Sequence, residues 1–215
     1  MFTLLLSIVL TAATLVALIL SGFLLVQVFS ARSAKRVQHV EQHRATETSC
    51  VVIIPAHNEA SVIQATLQSV SGQVQEHDVV LVVADNCTDH TAKIAKDNGA
   101  QVLERHNTSE RGKGYALAAG VDFAVHRGWM TEDSVVVFID ADCLLSENAL
   151  GTLVTACQTS GLPQQALYLM HNPPNNHTLK ARIAELAWRL KNKVLPLGGA
   201  IWGMGCPAMG TGMAL

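Results

Sequence analysis

At 215 residues with 49% hydrophobic side chains, the chain has room for one domain of ordinary size plus an apolar segment that is not core. A formal net charge of −2 excludes nucleic-acid binding driven by bulk electrostatics. The five cysteines are scattered and include no C-x-x-C pair, which argues against a zinc ribbon or redox dithiol and reads as thiols in a reducing compartment.

From Met1 to Ala31 there is no charged side chain. A helix over residues 1–30 would reach roughly 40 Å, more than a hydrocarbon core of about 30 Å, so this segment is expected to be a transmembrane anchor. A cleaved signal peptide fits less well, because no basic residue precedes the run and the run is longer than a usual signal core. Arg32, Lys35 and Arg36 follow directly. By the positive-inside rule they place the remainder in the cytoplasm, on a single-pass cell-membrane protein. Residues 31–48 are polar and read as a juxtamembrane linker, whose basic residues can also meet anionic lipid.

Residues 49–215 alternate short apolar runs with amphipathic segments. Strands are predicted over Cys50–Ile54 (stopped by Pro55), Val79–Ala84, Gln101–Leu103 and Val135–Ile139, with one more over Ala166–Met170. Helices are predicted from Glu59 (capped by Asn58), from Thr88 or Asp89 to Asn98-Gly99, over Gly112–Arg127, over Ser146–Thr159 and over Thr178–Val194. Asn172–Asn176 reads as a loop. This rhythm implies one α/β domain with a mostly parallel sheet and helices on both faces. The last of these helices carries Leu179, Ile183, Leu186, Ala187 and Leu190 on one side and Lys180, Arg182, Arg189, Lys191 and Lys193 largely elsewhere, a pattern that suits packing on the domain first and an interfacial role beside a membrane second.

Chemistry gathers where the strands end, the place at which a parallel sheet opens its ligand crevice. The run Val135 to Ile139 ends in Asp140-Ala141-Asp142, whose two carboxylates would share a side if the strand continued through them. Two like charges together suggest a hard cation such as Mg²⁺ or Mn²⁺; an isolated Asp-x-Asp also serves to cap a helix and turn the chain. Pro55-Ala56-His57-Asn58-Glu59 stands where a dinucleotide fold would carry G-x-G-x-x-G, which argues against an NAD or FAD enzyme. It either caps and turns or forms the wall of a base or ribose pocket. Asp85, directly after a buried run, can accept from a ring N–H or a ribose hydroxyl, while Asp89 is better explained as a helix cap. His57 and His90 each stand alone and read as hydrogen-bonded turn residues rather than metal ligands. Arg111-Gly112-Lys113-Gly114 lets backbone and cations approach phosphate at a helix start, or forms an exposed loop.

The order of these motifs, Pro-Ala-His-Asn-Glu, Asp-Asn-Cys-Thr-Asp-His-Thr, Arg-Gly-Lys-Gly-Tyr-Ala-Leu and Asp-Ala-Asp, resembles the donor-binding half of the family 2 glycosyltransferases. These belong to the GT-A group that includes cellulose and hyaluronan synthases. The resemblance is strong from Cys50 to about Ala149 and weaker to Gly210-Thr211-Gly212-Met213-Ala214, which looks like the acceptor-side Gly-Thr segment. It implies a UDP-sugar donor, an inverting transfer to a polysaccharide or lipid-linked acceptor, and Mg²⁺ or Mn²⁺ as cofactor. Pro55, His57 and Glu59 would border the uridine pocket, Asp85 would contact the base and Lys113 would lie near the nucleotide. Asp140 and Asp142 would form the D-x-D pair, with Asp142 on the metal. The family's catalytic carboxylate and Gln-x-x-Arg-Trp motif do not occur before Leu215, so the domain is expected to be cut short at its C-terminal end. A catalytically inactive nucleotide-sugar-binding or partner-binding module is the alternative.

Overall fold

The computed structural model describes residues 2–33, 49–170 and 178–215. Most of the linker expected over residues 31–48 and the loop over 172–176 lie outside these residues. Two compact units divide the chain, one from residues 1–38 and 167–207, the other from 39–166 and 208–215.

The second unit is built on a six-stranded sheet. In chain order it carries β1 (Cys50–Ala56), α2 (Ile63–Ser71), β2 (Val79–Asp85), α3 (Thr91–Asp97), β3 (Gln101–Arg105), α4 (Lys113–His126), β4 (Val135–Phe138), α5 (Ala149–Ser160), β5 (Gln164–Gln165) and β6 (Met213–Ala214), while α1 (Phe2–Ser30) belongs to the other unit. The strand order is β3-β2-β1-β4-β6-β5. The first four strands are parallel, and β6 inserts antiparallel to both β4 and β5.

Side-chain alternation divides the core into two layers. Val52, Ile54, Val82, Val135 and Val137 meet residues of α2, α3 and α5 on one face. Val51, Ile53, Leu81, Val83, Val136 and Phe138 meet α4 on the other. The β-branched runs thus pack both ways, as strands buried on two faces must. The predicted mostly parallel, helix-covered sheet is observed, and a hydrophobic strand without polar alternation was the signal that carried it.

Gly120 sets how closely α4 approaches this sheet. A Cβ there would lie 2.9 Å from Ile53 Cγ2 and 2.9 Å from Val83 Cγ2, both on stiff β-branched side chains of central strands. Overpacking costs about 1–3 kcal/mol and outweighs the helix-propensity gain of about 1 kcal/mol. Gly120→Ala is therefore expected to lower the denaturant midpoint, whereas Gly114→Ala on the same helix, with nothing within 4 Å, is expected to hold or raise it.

Several element boundaries differ from the sequence reading. Pro55 does not stop β1, which continues to Ala56. The Ile53 carbonyl accepts from Ile139 N at 3.1 Å, so this parity of β1 directs its backbone groups toward β4. Since β4 has ended at Phe138, the missing proline N–H costs no ladder bond. The first helix of the unit begins at Ile63 rather than Glu59, because Asn58 adopts φ 57° and gives its side chain to a neighbouring loop instead of a cap. Residues 166–170 do not form the predicted strand; pairing is confined to Gln164–Gln165, which align with β6. Asp140 and Asp142 lie beyond β4, in a turn, so strand alternation is not what brings them together.

The other unit contains α1, α6 (Leu179–Arg189), a π-helical turn over Leu190–Val194 and α7 (Leu195–Ile201). The helix predicted over Thr178–Val194 is thus three segments running on to Ile201. Thr178 caps α6 by accepting from Ala181 N. The 29 residues of α1 are long and apolar enough to cross a membrane, and its large hydrophobic side chains are exposed along its length. Helix α7 rests on α1 through Gly198, where a Cβ would lie 1.9 Å from the Gln27 carbonyl oxygen.

Candidate functional site

Parity again determines what reaches the site. In β1 and β2 the side chains that share a face with α4 are Val51, Ile53, Leu81 and Val83, and the same alternation carries Pro55 and Asp85 to that face at the carboxyl ends of the strands. A cavity of about 890 Å³ opens there. Pro55, His57, Glu59, Asp85, Lys113, Asp140 and Asp142 all line it, so the structure brings together every site residue picked from the sequence.

The loop after β1 and the loop after β2 clasp one another. The Asp85 carbonyl bonds His57 Nδ1 at 2.7 Å, and Asn58 Oδ1 accepts from Thr88 N at 2.8 Å. Glu59 N donates to Thr91 Oγ1 at 2.8 Å, and Ala60 N to the Asp89 carboxylate at 3.0 Å. His57 is therefore the hydrogen-bonded turn histidine expected. Asp89 also accepts from Thr91 N and Thr91 Oγ1, but the N-cap of α3 is His90, so Asp89 braces the entry to the helix from one residue before the cap position expected for it. The Cys87 thiol donates to the Ala56 carbonyl, and burial pushes its pKa up, which keeps it a weak donor rather than a nucleophile.

Two carboxyl groups of this clasp respond to pH in opposite senses. The hydrogen bonds from Thr91 Oγ1, Thr91 N and Ala60 N hold Asp89 below the ordinary carboxylate range. A folded pKa below the unfolded value, about 3.9, gives stability that is present above that value and lost as pH falls through the folded one. Glu59 is displaced the other way, first by burial and then by the nearby charges of Asp142 and Asp89. Ionising it disfavours the folded state, so its contribution improves as pH falls through its raised pKa. Asp142→Asn is expected to bring the Glu59 titration, followed by carboxyl NMR, back toward the ordinary range; an unmoved titration would leave burial as its cause.

Asp85 is buried and meets Arg105 Nη1 at 2.8 Å and Asn86 Nδ2 at 3.1 Å. Arg105 also donates to the Glu110 carbonyl at 2.8 Å and to its carboxylate at 3.1 Å, and lies over the Tyr115 ring. One guanidinium thus fixes both the Asp85 carboxylate and the loop leading to α4. That loop ends at Gly112, whose φ of 116° suits glycine, and it presents Arg111, Gly112 and Lys113 to the cavity.

The Asp140-Ala141-Asp142 turn is pinned from three sides. Cys143 N donates to the Asp140 carbonyl at 3.1 Å, closing the turn. Buried Thr66 on α2 donates to the Ala141 carbonyl at 2.7 Å, and Asp140 N donates to Thr211 Oγ1 at 2.9 Å. The Lys113 ammonium bridges the Asp140 carboxylate and the Gly210 carbonyl. Asp140 is half-buried and Asp142 exposed, and one carboxylate oxygen of each lies within 4.8 Å of the other and of Cys143 Sγ. Two carboxylate oxygens suit a hard divalent ion, whereas the soft Cys143 sulfur, set against Thr211 Oγ1 at 3.4 Å, does not belong to such a ligand set.

Sequence reasoning missed Arg105, His106 and Thr108, and named the buried Thr211 only within the Gly-Thr segment. The cavity-lining pair His106 and Thr108 gave no motif signal. Arg105 was detectable only as a cation ending a strand beside one that ends in Asp85.

A family model described as "Glycosyl transferase family 2" matches residues 51–194. A 4,4'-diaponeurosporenoate glycosyltransferase of Staphylococcus haemolyticus (strain JCSC1435) is 32% identical over 114 residues, 51% of this chain and 28% of the relative. One of the same name from Staphylococcus aureus (strain bovine RF122 / ET3-1) is 33% identical over 117 residues, 53% of this chain and 29% of the relative. The matched stretch therefore spans under a third of these relatives' length. Among solved structures, glucosyl-3-phosphoglycerate synthase from Mycobacterium tuberculosis, in complex with Mn²⁺, UDP-glucose and phosphoglyceric acid, superposes with a TM-score of 0.51 at 22% identity. That superposition covers 84% of this chain and 61% of the synthase, and shows a shared fold.

Proposed function

The chain belongs to glycosyl transferase family 2, and from that premise we propose that it is a membrane-anchored enzyme using a UDP-sugar and Mg²⁺ or Mn²⁺. It transfers the sugar, with inversion, to a polysaccharide or lipid-linked acceptor, its catalytic domain on the cytoplasmic side of the cell membrane. The observation that carries the reading is the convergence of seven residues from four separate sequence motifs on one cavity of about 890 Å³. The 29-residue apolar helix α1, followed by Arg32, supports the anchor and its orientation.

In this reading Pro55, His57 and Glu59 border the uridine, and Asp85, oriented by Arg105, accepts from the base. Lys113 and Arg111 face the diphosphate. Asp142, with Asp140, would hold the divalent ion, which when bound offsets the negative charge developing on the leaving diphosphate. Lys113 is the cation that meets Asp140 in this structure, so donor binding is expected to pull its ammonium toward phosphate and loosen its hold on the Gly210 carbonyl.

Calorimetric titration of the full chain with UDP, with and without Mn²⁺, tests the donor and metal assignment. Each ligand should tighten the other by about 5–150-fold, and independent binding would refute it. Labelled UDP-sugars then separate an enzyme from a binding module: release of free sugar or its transfer supports the enzyme, and UDP binding without either supports the module.

A further inference from the structure

We infer that the outer face of α6 is a membrane-surface element that seats in an anionic lipid headgroup layer; this rests on the reading of α1 as a membrane anchor. Leu179, Ile183, Leu186 and Leu190 are 74%, 58%, 68% and 41% exposed. At about 100° per residue they fall within an arc of about 60°, roughly opposite the side that carries buried Ala181 and half-buried Trp188. A helix that buries one face and leaves a continuous apolar stripe on the other has not spent that stripe on its own core.

Charge selects the occupant. Lys180 flanks the stripe on one side and Arg182 and Arg189 on the other, all exposed, while Lys191, also exposed, rests its ammonium 5.5 Å from the Trp188 ring centroid in this structure. Glu185 is the acidic residue of α6, and it is held by Arg189 at 2.6 Å. An apolar stripe between two basic borders matches acyl chains beneath anionic headgroups, with long cationic stems reaching outward to phosphate. A second copy of the same face would set like charges against one another.

Continuity with α1 supplies the independent support. Gly198 of α7 sits against the Gln27 backbone, so closely that no side chain would fit, and Gln27 is buried although it lies in an apolar helix. Trp202 Nε1 donates to Ser30 Oγ at 3.0 Å while the residue is 64% exposed, an amphipathic ring at the end of the span, where interfacial tryptophans collect. The π turn joins α6 to α7 without a break, so the end of α1 and the root of α6 belong to one compact unit. If α1 spans, α6 is tethered near the headgroup level.

The test installs the photo-crosslinking residue p-benzoylphenylalanine, one site at a time, in the full chain at Leu18 of α1 and at Ile183 and Leu186 of α6. The chain is reconstituted in vesicles of phosphatidylcholine alone or with phosphatidylglycerol, and adducts are identified by mass. All three positions are solvent-exposed side chains, so folding should tolerate the change. Lipid adducts are expected at Leu18 in both vesicles. At Ile183 and Leu186 they are expected at a yield at least about fivefold higher with phosphatidylglycerol. Neutralising Lys180, Arg182, Arg189 and Lys191 to Gln should return that yield to the phosphatidylcholine level. Lipid adducts at Leu18 with none at Ile183 or Leu186 would overturn the inference and leave the anchor standing, and protein adducts there would give the stripe to a protein partner. No lipid adduct at Leu18 would overturn the anchor reading, and the inference with it.

Discussion

Asp142→Ala should abolish the mutual enhancement of UDP and Mn²⁺ binding while leaving the fold intact. Asp142 is exposed on the turn after β4, and among the described residues its carboxylate accepts only from the weak Cys143 thiol donor at 3.7 Å, so truncation removes little packing. A surface change of this kind shifts stability by about 0.5 kcal/mol or less. Its effect on chemistry should be far larger. If the ion held there offsets charge on the leaving diphosphate, losing its handle should cost about 10²–10³ in turnover, the scale seen when a single preorganised charge-stabilising group is removed. The coupling factor between UDP and Mn²⁺, expected at about 5–150 in the unaltered chain, should fall to near one. Asp140→Asn should behave differently. It releases Lys113 from its partner and disturbs the link to Gly210, so both UDP affinity and the order of the Gly210-Thr211 segment should suffer. Calorimetry of both variants, read beside their thermal unfolding, distinguishes a metal handle from a structural turn. An Asp142→Ala protein with unchanged coupling would remove Asp142 from the metal site.

That contrast also indicates what was legible in the sequence. The apolar runs Val51–Ile54 and Val135–Ile139 identified buried parallel strands, because only a strand covered on both faces tolerates so little polar alternation. Once those strands were placed, the residues following them fell at one sheet edge, and Pro55, Asp85 and Asp140 could be assigned to one cavity. What escaped detection depends on contacts between segments far apart in the chain. The two-residue strand Met213–Ala214 has no period to read and exists only because β4 and β5 each offer it an edge. Asn58 has the composition of a helix cap, yet its side chain is better satisfied by Thr88 in the opposing loop, which delays α2 by four residues. Asp140 and Asp142 converge through a turn held by Thr66 and Thr211, residues 71 to 75 positions distant from their partners.

Arg105→Met should be the most destabilising single change at the site, and it should weaken donor binding. The Arg105 and Asp85 side chains are 13% and 8% exposed, so their ion pair is largely removed from solvent. Removing Arg105 leaves the Asp85 carboxylate without its cation in a site that water reaches poorly, so the denaturant midpoint should fall. Asn86 Nδ2 still donates to the Asp85 carboxylate, which offsets part of the loss. The same substitution cuts the bonds from Arg105 to the Glu110 carbonyl and carboxylate. The loop carrying Arg111 and Gly112 then loses its anchor, and UDP affinity should fall by at least about tenfold, or about 1.4 kcal/mol. A double variant separates the two consequences. Asp85→Leu combined with Arg105→Met replaces the buried pair by apolar side chains and should recover most of the stability, since such replacements are often neutral or favourable. It should not recover UDP binding, because the proposed acceptor for the base is gone. Denaturant unfolding and UDP titration of the single and double variants give the answer. Recovery of both properties together would show that Asp85 serves the fold alone, whereas recovery of stability without affinity would assign it to the donor.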